Sequence, residues 1–467
     1  MLTPGVGQIM DKILIEEFER IVGKLNVVTN IEQMQNYLVD ETPPSVRPKP
    51  ANDLALIRPA DTQQVSSVLR LASKSRLPVF PRGGGTGLVG GAVPTRGGII
   101  LSMERMNGIE IDEANLLAIA DAGVTLGGLV NAAEEVGLSF PPHPGDEHAQ
   151  VGGLVATNAG GSRAVRHGVM RNQVRGMEAV LPTGEILKLG GRLHKNNVGY
   201  DLMQLIIGSE GTLAVITKVI LRLYPKPGAT MTLIVPYDNR HDALSSVPKI
   251  LHSSTPLAVE YVERDLLERT AKRLNANWPV KTGRSHLIVM MSEPNRDQVL
   301  SESLKVAEIC RENTNYETFV AESKSDQDNI LRIRSDIYFA LKSETMDLLD
   351  ITVPTAELEK VMGEIENVAT RRAALLEVFG HAADGNLHVH IMKKEGEGAK
   401  YVEDLRNEIY EIATRAGGVI TGEHGIGKIR TKKLESLMTR KEFELMKSVK
   451  RMFDPDGILN PGTKIPA

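Results

Sequence analysis

The sequence predicts an α+β protein of more than one domain, on three observations. Up to about residue 226, short apolar strand-like runs alternate with helical spacing and with glycine clusters. From Tyr224-Pro225-Lys226-Pro227 to about Arg415 the glycine-rich character stops, and longer amphipathic helices alternate with isolated strands. The closing stretch returns to short motifs. At 467 residues the chain exceeds what one core accommodates, so two or three domains are expected, with breaks at 1–226, 227–415 and 416–467.

Taken in order, residues 10–25 hold Ile13, Ile15, Phe18, Ile21 and Val22 at helical spacing and predict an amphipathic helix. Past the proline-rich connector 43–50, the run Leu54–Ile57 reads as a strand. Asp61 stands as the N-cap of a helix ending at Lys74. Gln64 takes the capping-box position, and Val65, Val68, Leu69 and Ala72 make the core face. A short strand at 77–80 then enters Pro81-Arg82-Gly83-Gly84-Gly85-Thr86-Gly87-Leu88-Val89-Gly90-Gly91. Adjacent glycines allow positive φ and let several N–H groups converge on one anion, chemistry suited to a pyrophosphate. A Rossmann unit opens a helix at such glycines; here 93–98 leads to the strand 99–102, which rejects that reading.

Two further glycine clusters follow. Val151 to Ser162 comes after the loop Pro141-Pro142-His143-Pro144-Gly145, and Ile207 to Thr217 after Asn196-Asn197-Val198-Gly199-Tyr200-Asp201, each beside an apolar strand-like run. Three clusters within about 130 residues suit one extended ligand lined by backbone, a dinucleotide such as FAD rather than a mononucleotide. Beyond residue 226, helices are expected at 241–252, 258–273 and 300–311, and a strand at 285–292. Trp278 and the methionines read as fillers. The basic run Lys428-Ile429-Arg430-Thr431-Lys432-Lys433 reads as a solvated helix start, with Lys428 or Arg430 able to reach a cofactor or substrate.

Composition narrows the function classes. Basic and acidic residues, 55 against 59, nearly balance, and aromatics make up 4%, so neither a basic face nor a base-stacking platform for nucleic acid is expected. The lone Cys310 rules out an internal disulfide and a four-thiolate iron–sulfur cluster, so cluster-borne electron transfer would need a partner subunit. Eighteen apolar residues never run together, and 1–20 lacks the basic flank and apolar core of a signal peptide. A soluble, cytoplasmic protein is the expectation.

Chemistry concentrates in Gly380-His381-Ala382-Ala383-Asp384-Gly385-Asn386-Leu387-His388-Val389-His390, where three imidazoles fall within ten residues. The Asp-Gly-Asn turn separates His381 from the alternating run 387–392, on which His388 and His390 share a face. Further on stands Thr421-Gly422-Glu423-His424-Gly425-Ile426-Gly427-Lys428. Several imidazoles and a carboxylate make a donor set for a divalent metal; the alternative is a surface cluster of histidines in a glycine-rich loop.

These strings together resemble the flavin-dependent 2-hydroxy-acid dehydrogenases of the vanillyl-alcohol-oxidase (PCMH-type FAD) superfamily. That family includes glycolate oxidase flavin subunits, D-lactate dehydrogenases and D-2-hydroxyglutarate dehydrogenases. The matching strings, in the family's order between Asn52 and Pro461, are PRGGGTGLVGGA, VGGLVATNAGG, NNVGYDLMQLIIGSEGTLAVIT, GHAADGNLHVHI, TGEHGIGK and FDPDGILNPG. The resemblance implies a two-part PCMH-type FAD-binding domain over 1–226, an α+β cap for substrate and metal over 227–415, and a segment, 416–467, packing back on the FAD domain. By position, Pro81, Arg82, Gly83, Gly84, Gly85, Thr86, Gly87 and Leu88 would hold phosphate. Pro142, Gly152, Gly153, Asn158, Ala159, Gly160, Gly161 and Ser162 would approach the flavin, as would Glu210, Gly211, Ile216 and Asn460. His381, His388 and Glu423 fall at the metal ligands and His424 at the catalytic base. Arg332 and Arg334 lie where relatives carry an arginine for the substrate carboxylate.

The implied reaction is oxidation of a small D-2-hydroxy acid to the 2-oxo acid, with the hydroxyl proton going to His424 and the Cα hydride to flavin N5. A divalent metal (Zn, Fe or Mn) chelated by hydroxyl and carboxylate lowers the hydroxyl pKa, and a neutral imidazole accepts the proton near pH 7. FAD would be non-covalent, because no His or Cys context compels attachment. His390 stands where several relatives carry Asn, as a further ligand, a substrate contact or a support for a ligand. Leu348 replaces a lysine of the D-2-hydroxyglutarate enzymes, which favours D-lactate or glycolate. His143, Asp146, Glu147 and His148 replace a less charged pattern, for which the sequence offers no account. Electrons would pass to a quinone, an electron-transferring flavoprotein or an iron–sulfur subunit, in a homodimer or hetero-oligomer. Competing readings are a D-2-hydroxyglutarate dehydrogenase, a flavin subunit serving electron transfer or assembly, and a non-redox flavoenzyme of the alkyl-dihydroxyacetone-phosphate synthase type. The last carries HHHG where this chain reads Gly422-Glu423-His424-Gly425, and the carboxylate argues against it.

Overall fold

The computed structural model describes residues 11–466. Met10, where the first expected helix begins, lies outside them, as does the first half of the segment weighed as a leader. Asp11 caps the helix Lys12–Val22, and Phe18 and Val22 are buried on its inner face. No helix of the described residues is long and apolar enough to cross a membrane.

Strands β1 (Val27–Val28), β2 (Leu54–Ile57), β3 (Val79–Arg82) and β4 (Gly98–Ser102) form a sheet in the order β1-β2-β4-β3. β4 runs parallel to both β2 and β3, and such covered strands read as unbroken apolar runs. Between β2 and β3, Asp61 accepts the Gln64 N–H at 2.8 Å and starts the helix Thr62–Lys74, which buries Val65, Val68, Leu69 and Ala72. The Gln64 side chain accepts from Ala60, one residue ahead of the cap. No helix opens in the glycine loop 83–91.

Then come β5 (Ile109–Asp112), β6 (Leu117–Asp121), β7 (Leu138–Ser139), β8 (Val174–Val180), β9 (Ile186–Gly190), β10 (Val215–Arg222) and β11 (Tyr224–Pro225). Five make an antiparallel sheet in the order β5-β6-β10-β8-β9, and β7 pairs with β11. One expectation fails here: the apolar run beside the second glycine cluster is a helix, Val151–Thr157. A Cβ on Gly152 would stand 2.6 Å from that of Ala122, so this glycine lets helix and loop pack closely.

The rest of the chain builds β12 (Ala229–Tyr237), β13 (Ala258–Glu263), β14 (Ser285–Glu293), β15 (Phe319–Ala321), β16 (Thr345–Thr352), β17 (Leu376–His381) and β18 (Asn386–Met392). They form one sheet in the order β15-β12-β14-β13-β17-β18-β16. Val259, Tyr261, Leu349, Ile351 and Val389 enter the core on one face; Ala258, Val262, Ile288 and Phe379 enter that on the other. The helix expected over 258–273 divides: 258–263 is β13, and helix occupies Arg264–Arg273. A strand covered on both faces carries apolar residues without alternation, so its period does not separate it from a buried helix. Trp278 is core, its Nε1 donating to His286 Nδ1 at 3.1 Å.

The C-terminal segment serves both halves rather than the FAD side alone. Val419 and Thr421 bridge to Thr352 and Asp350 on β16, whereas Leu459 bridges to Val79 and the Asn460 N–H donates to Val79 O at 2.8 Å. The basic run does start a helix, Thr431–Leu437, with Lys432 exposed, but Lys428 and Arg430 ahead of it are not solvated. Arg430 is buried against Asp347, which also takes Arg406, and Lys428 Nζ donates to Gly91 O, Asn460 Oδ1 and Thr463 Oγ1. Neither lines a cavity described below; a charge run does not reveal partners that distant segments bring to it. Asp347→Ala would strand two guanidiniums, and removing one partner of a buried pair costs about 3–5 kcal/mol. The midpoint of urea unfolding is therefore expected to fall clearly, and an unmoved midpoint would show that the pair contributes nothing.

Candidate active site

Two cavities meet between the sheets of the first half of the chain and the seven-stranded sheet. The first is walled by residues 81–88, by Gly152, Gly153, Ala159 and Gly160, and by Glu210, Gly211, Ile216 and Asn460. Gly85 turns at φ +75°, and a Cβ there would stand 2.1 Å from Arg82 Nη2. The wall leaves polar atoms without protein partners: Arg82 Nη1 and Gln150 Oε1 are buried and unbonded. At Gly87 and Gly153 nothing lies within 4 Å of where a Cβ would be. An elongated, glycine-lined space with an unpaired guanidinium nitrogen and an unpaired amide oxygen fits a dinucleotide carrying phosphates and donor groups. Gln150 escaped the sequence reading, its only signal being its place just before the second glycine cluster.

Four expected contacts fall elsewhere. Asn158 lines neither cavity; at φ 54° it ends the helix Val151–Thr157, and its Oδ1 accepts the Arg171 N–H at 2.9 Å. Pro142 is buried and also lines neither. Gly161 and Ser162 lie past the turn and wall the second cavity. Glu210 and Asn460 do face the first cavity, yet their polar groups tie loops together. The Glu210 carboxylate accepts from Ile426 N at 3.0 Å and Gly427 N at 2.7 Å, and Asn460 Nδ2 donates to Gly91 O and Glu210 O.

In the second cavity, His381, His388 and Glu423 come together. His381 Nε2, His388 Nε2 and Glu423 Oε1 form a triangle with all three sides 3.5 Å. Donors about 2.1 Å from a tetrahedral ion stand about 3.4 Å apart, so the triangle matches a site with one open position. Burial opposes charge on every member. On His381 the carboxylates of Glu260 and Glu423 override it and hold the ring well above its ordinary pKa. On His388 burial wins, joined by His424 and His381, and the ring lies well below. Burial works against Glu423 too, but His381 and His424 hold it below the usual carboxylate range.

Two buried carboxylates that sequence reasoning missed, and one of its two candidate arginines, complete the centre. Asp350, which lies close enough to His388, Glu423 and His424 to be weighed as a ligand, is otherwise engaged. Its Oδ2 accepts from Thr421 Oγ1 and from the backbone N–H of Gly422, Glu423 and His424 at 2.8–2.9 Å, and its Oδ1 accepts from Asn386 Nδ2 and faces His388 Nδ1 at 3.6 Å. Glu260 on β13 joins His381 Nδ1 at 2.7 Å. Of the two candidate arginines, Arg334 faces the cavity, its guanidinium 4.8 Å from the Phe379 ring centre. Arg332 is exposed and bonds Asn329, because residues two apart on a helix point to different sides.

His424 and Glu423 wall both cavities. The His424 ring stacks on His388 at 5.0 Å between centres and 6° between planes, with its Nε2 3.8 Å from Glu423 Oε1. His390 shares the His388 face but stands off the triangle. Thr345 Oγ1 donates to Leu341 O, so it accepts from His390 Nδ1 at 2.9 Å, and burial pushes the ring down to about 3. Within the charged loop, His143 and Asp146 face the second cavity while Glu147 and His148 are exposed; burial lowers His143 to about 4.

With this geometry established, the chain matches a family model described as FAD linked oxidases, C-terminal domain, over residues 226–463, and one described as FAD binding domain over 54–190. It is 42% identical over 426 residues to a D-lactate dehydrogenase of Archaeoglobus fulgidus, covering 91% of this chain and 94% of that one. To the glycolate oxidase subunit GlcD of Bacillus subtilis it is 35% identical, covering 87% and 88%. A solved p-cresol methylhydroxylase has the same fold, with a TM-score of 0.78, 17% identity and 99% and 98% coverage.

The anchoring of the Gly422–His424 amides is directly measurable. Asp350→Ala removes the acceptor of all three, so their hydrogen exchange should accelerate at least tenfold while the β13 and β14 amides keep their protection. Unchanged exchange at 422–424 would mean that the loop is held by something else.

Proposed function

We propose that this chain, which belongs to the FAD-linked oxidases and is an FAD-dependent oxidoreductase, oxidises a small D-2-hydroxy acid, D-lactate or glycolate before others, to the 2-oxo acid. One observation carries the reading: the His381–His388–Glu423 triangle lies in the cavity that holds a buried arginine, and its Glu423 corner also walls the glycine-lined cavity. The likeness to a D-lactate dehydrogenase and a glycolate oxidase subunit supports the substrate class. So does Leu348, an apolar side chain in the substrate-side wall.

When bound, FAD supplies the hydride acceptor and a divalent metal held by His381, His388 and Glu423 supplies Lewis acidity at the substrate hydroxyl. The side chains do the rest. Arg334 takes the substrate carboxylate and turns the 2-hydroxyl toward the triangle. His424 receives the hydroxyl proton from a position walling both cavities, held by its own N–H on Asp350 and by stacking on His388. Phe379, Leu331 and Leu348 keep water from the reacting carbon. FAD is held without a covalent bond, and the electrons leave to a separate quinone or partner protein, since one cysteine cannot ligate an iron–sulfur cluster within this chain.

Anaerobic mixing with a panel of 2-hydroxy acids tests the reading. D-Lactate or glycolate should bleach the visible flavin band, and a chelator should slow the bleaching; an unchanged band across the panel sinks the proposal. Glu423→Gln should lose metal and turnover while keeping its FAD, because the two groups are held by different stretches. His424→Ala should keep metal and reduce flavin about 10²–10⁴-fold more slowly. A wild-type reduction rate in that variant removes His424 as the base.

A further inference from the structure

We infer that Glu260 is a positioning residue whose one buried carboxylate sets both the metal-facing histidine and the substrate-binding arginine. The inference rests on the proposed roles of His381 and Arg334. Glu260 lies in the middle of the seven-stranded sheet with 0% exposure, and the pairing of β13 with β17 sets it directly opposite His381. Its Oε1 is 2.7 Å from His381 Nδ1 and its Oε2 is 2.5 Å from Arg334 Nη2. Arg334 comes from another element, the helix Lys324–Ser335, so the carboxylate joins three parts of the cap that are remote in sequence.

The chemistry of the pair decides what Glu260 does. A carboxylate accepting from His381 Nδ1–H leaves the lone pair on Nε2 and fixes the ring plane, so Nε2 faces the other two corners of the triangle. His388 lacks so close a guide: its Nδ1 is 3.6 Å from Asp350 Oδ1. On the other side Nη2 of Arg334 meets Oε2 of Glu260 as a close ion pair without hydrogen-bond alignment, and Nε of Arg334 has no partner at all. A fully buried carboxylate is costly unless both sides compensate it, and here one cation and one imidazole do so. Glutamine cannot replace it. Its single oxygen satisfies either His381 or Arg334, and its NH₂ then faces the other donor.

The test measures metal affinity on FAD-loaded protein without substrate, using Mn²⁺ in competition with a chromophoric chelator. Glu260→Gln is expected to weaken Mn²⁺ binding about 10–100-fold with an unchanged flavin spectrum, and to raise KM for the hydroxy acid as well as lower kcat. Arg334→Met should raise KM while leaving Mn²⁺ affinity close to wild type. If Glu260→Gln fails to fold because Arg334 is stranded, the double variant Glu260→Gln/Arg334→Met is compared with Arg334→Met alone, and the same 10–100-fold loss is expected. Equal Mn²⁺ affinity in either comparison overturns the positioning role and leaves the proposed function standing. Failure of the wild type itself to bind Mn²⁺ or Zn²⁺ overturns the metal reading, and this inference with it.

Discussion

The oxygen Oδ2 of Asp350 gathers one hydroxyl and three consecutive backbone N–H groups, and the positions of Glu423 and His424 follow from that grip. Hydrogen bonds to a carboxylate oxygen are stronger than those between neutral groups. The three N–H groups belong to Gly422, Glu423 and His424, so the bonds fix the loop that carries a corner of the triangle and the proposed base. Asp350 itself comes from β16, next to the strand that carries His388. A loop and a sheet far apart in sequence are thereby held in register to within a hydrogen bond.

The same loop is gripped from the opposite side. Glu210, in the wall of the flavin-side cavity, accepts from Ile426 and Gly427, two residues past the base. One carboxylate from each half therefore clasps residues 422–427. Hydride transfer needs the substrate carbon close to the flavin while its hydroxyl is close to a base, so the two cavities cannot drift apart. Loops usually carry such chemistry because their backbone is free to adopt unusual conformations, and they work when a rigid scaffold holds them. Here the scaffold reaches the loop as two side-chain carboxylates.

How much of this was legible in the sequence depended on whether the signal was local. The glycine loops, the two histidines around the Asp-Gly-Asn turn and the Glu-His pair announce themselves by spacing, and they stand around the two cavities. Glu260 and Asp350 did not, because each stands in an apolar stretch that reads as core. Their partners lie more than seventy residues away, on Thr421 and His381. Misreading β13 as helix hid Glu260 further: on a helix it would have had no fixed relation to β17. Arg332 and Arg334 looked equivalent in sequence until helix geometry turned one outward. Asn158 looked like a flavin contact until its left-handed φ sent its side chain to Arg171.

Charge balance joins these supports to the chemistry. The centre sets the carboxylates of Glu260, Asp350 and Glu423 against the one guanidinium of Arg334, an excess of negative charge. A buried site of that charge draws positive charge from solution, and His381, held well above its ordinary pKa, shows the pull as a proton. A divalent ion held by His381, His388 and Glu423 would offset that excess in place of the proton. The same cavity wall carries Leu348 and Asp146, with Glu41 paired to Lys342. An apolar side chain and a carboxylate there suit the small acids proposed above better than an acid with a second carboxylate, through residues outside the metal triangle itself.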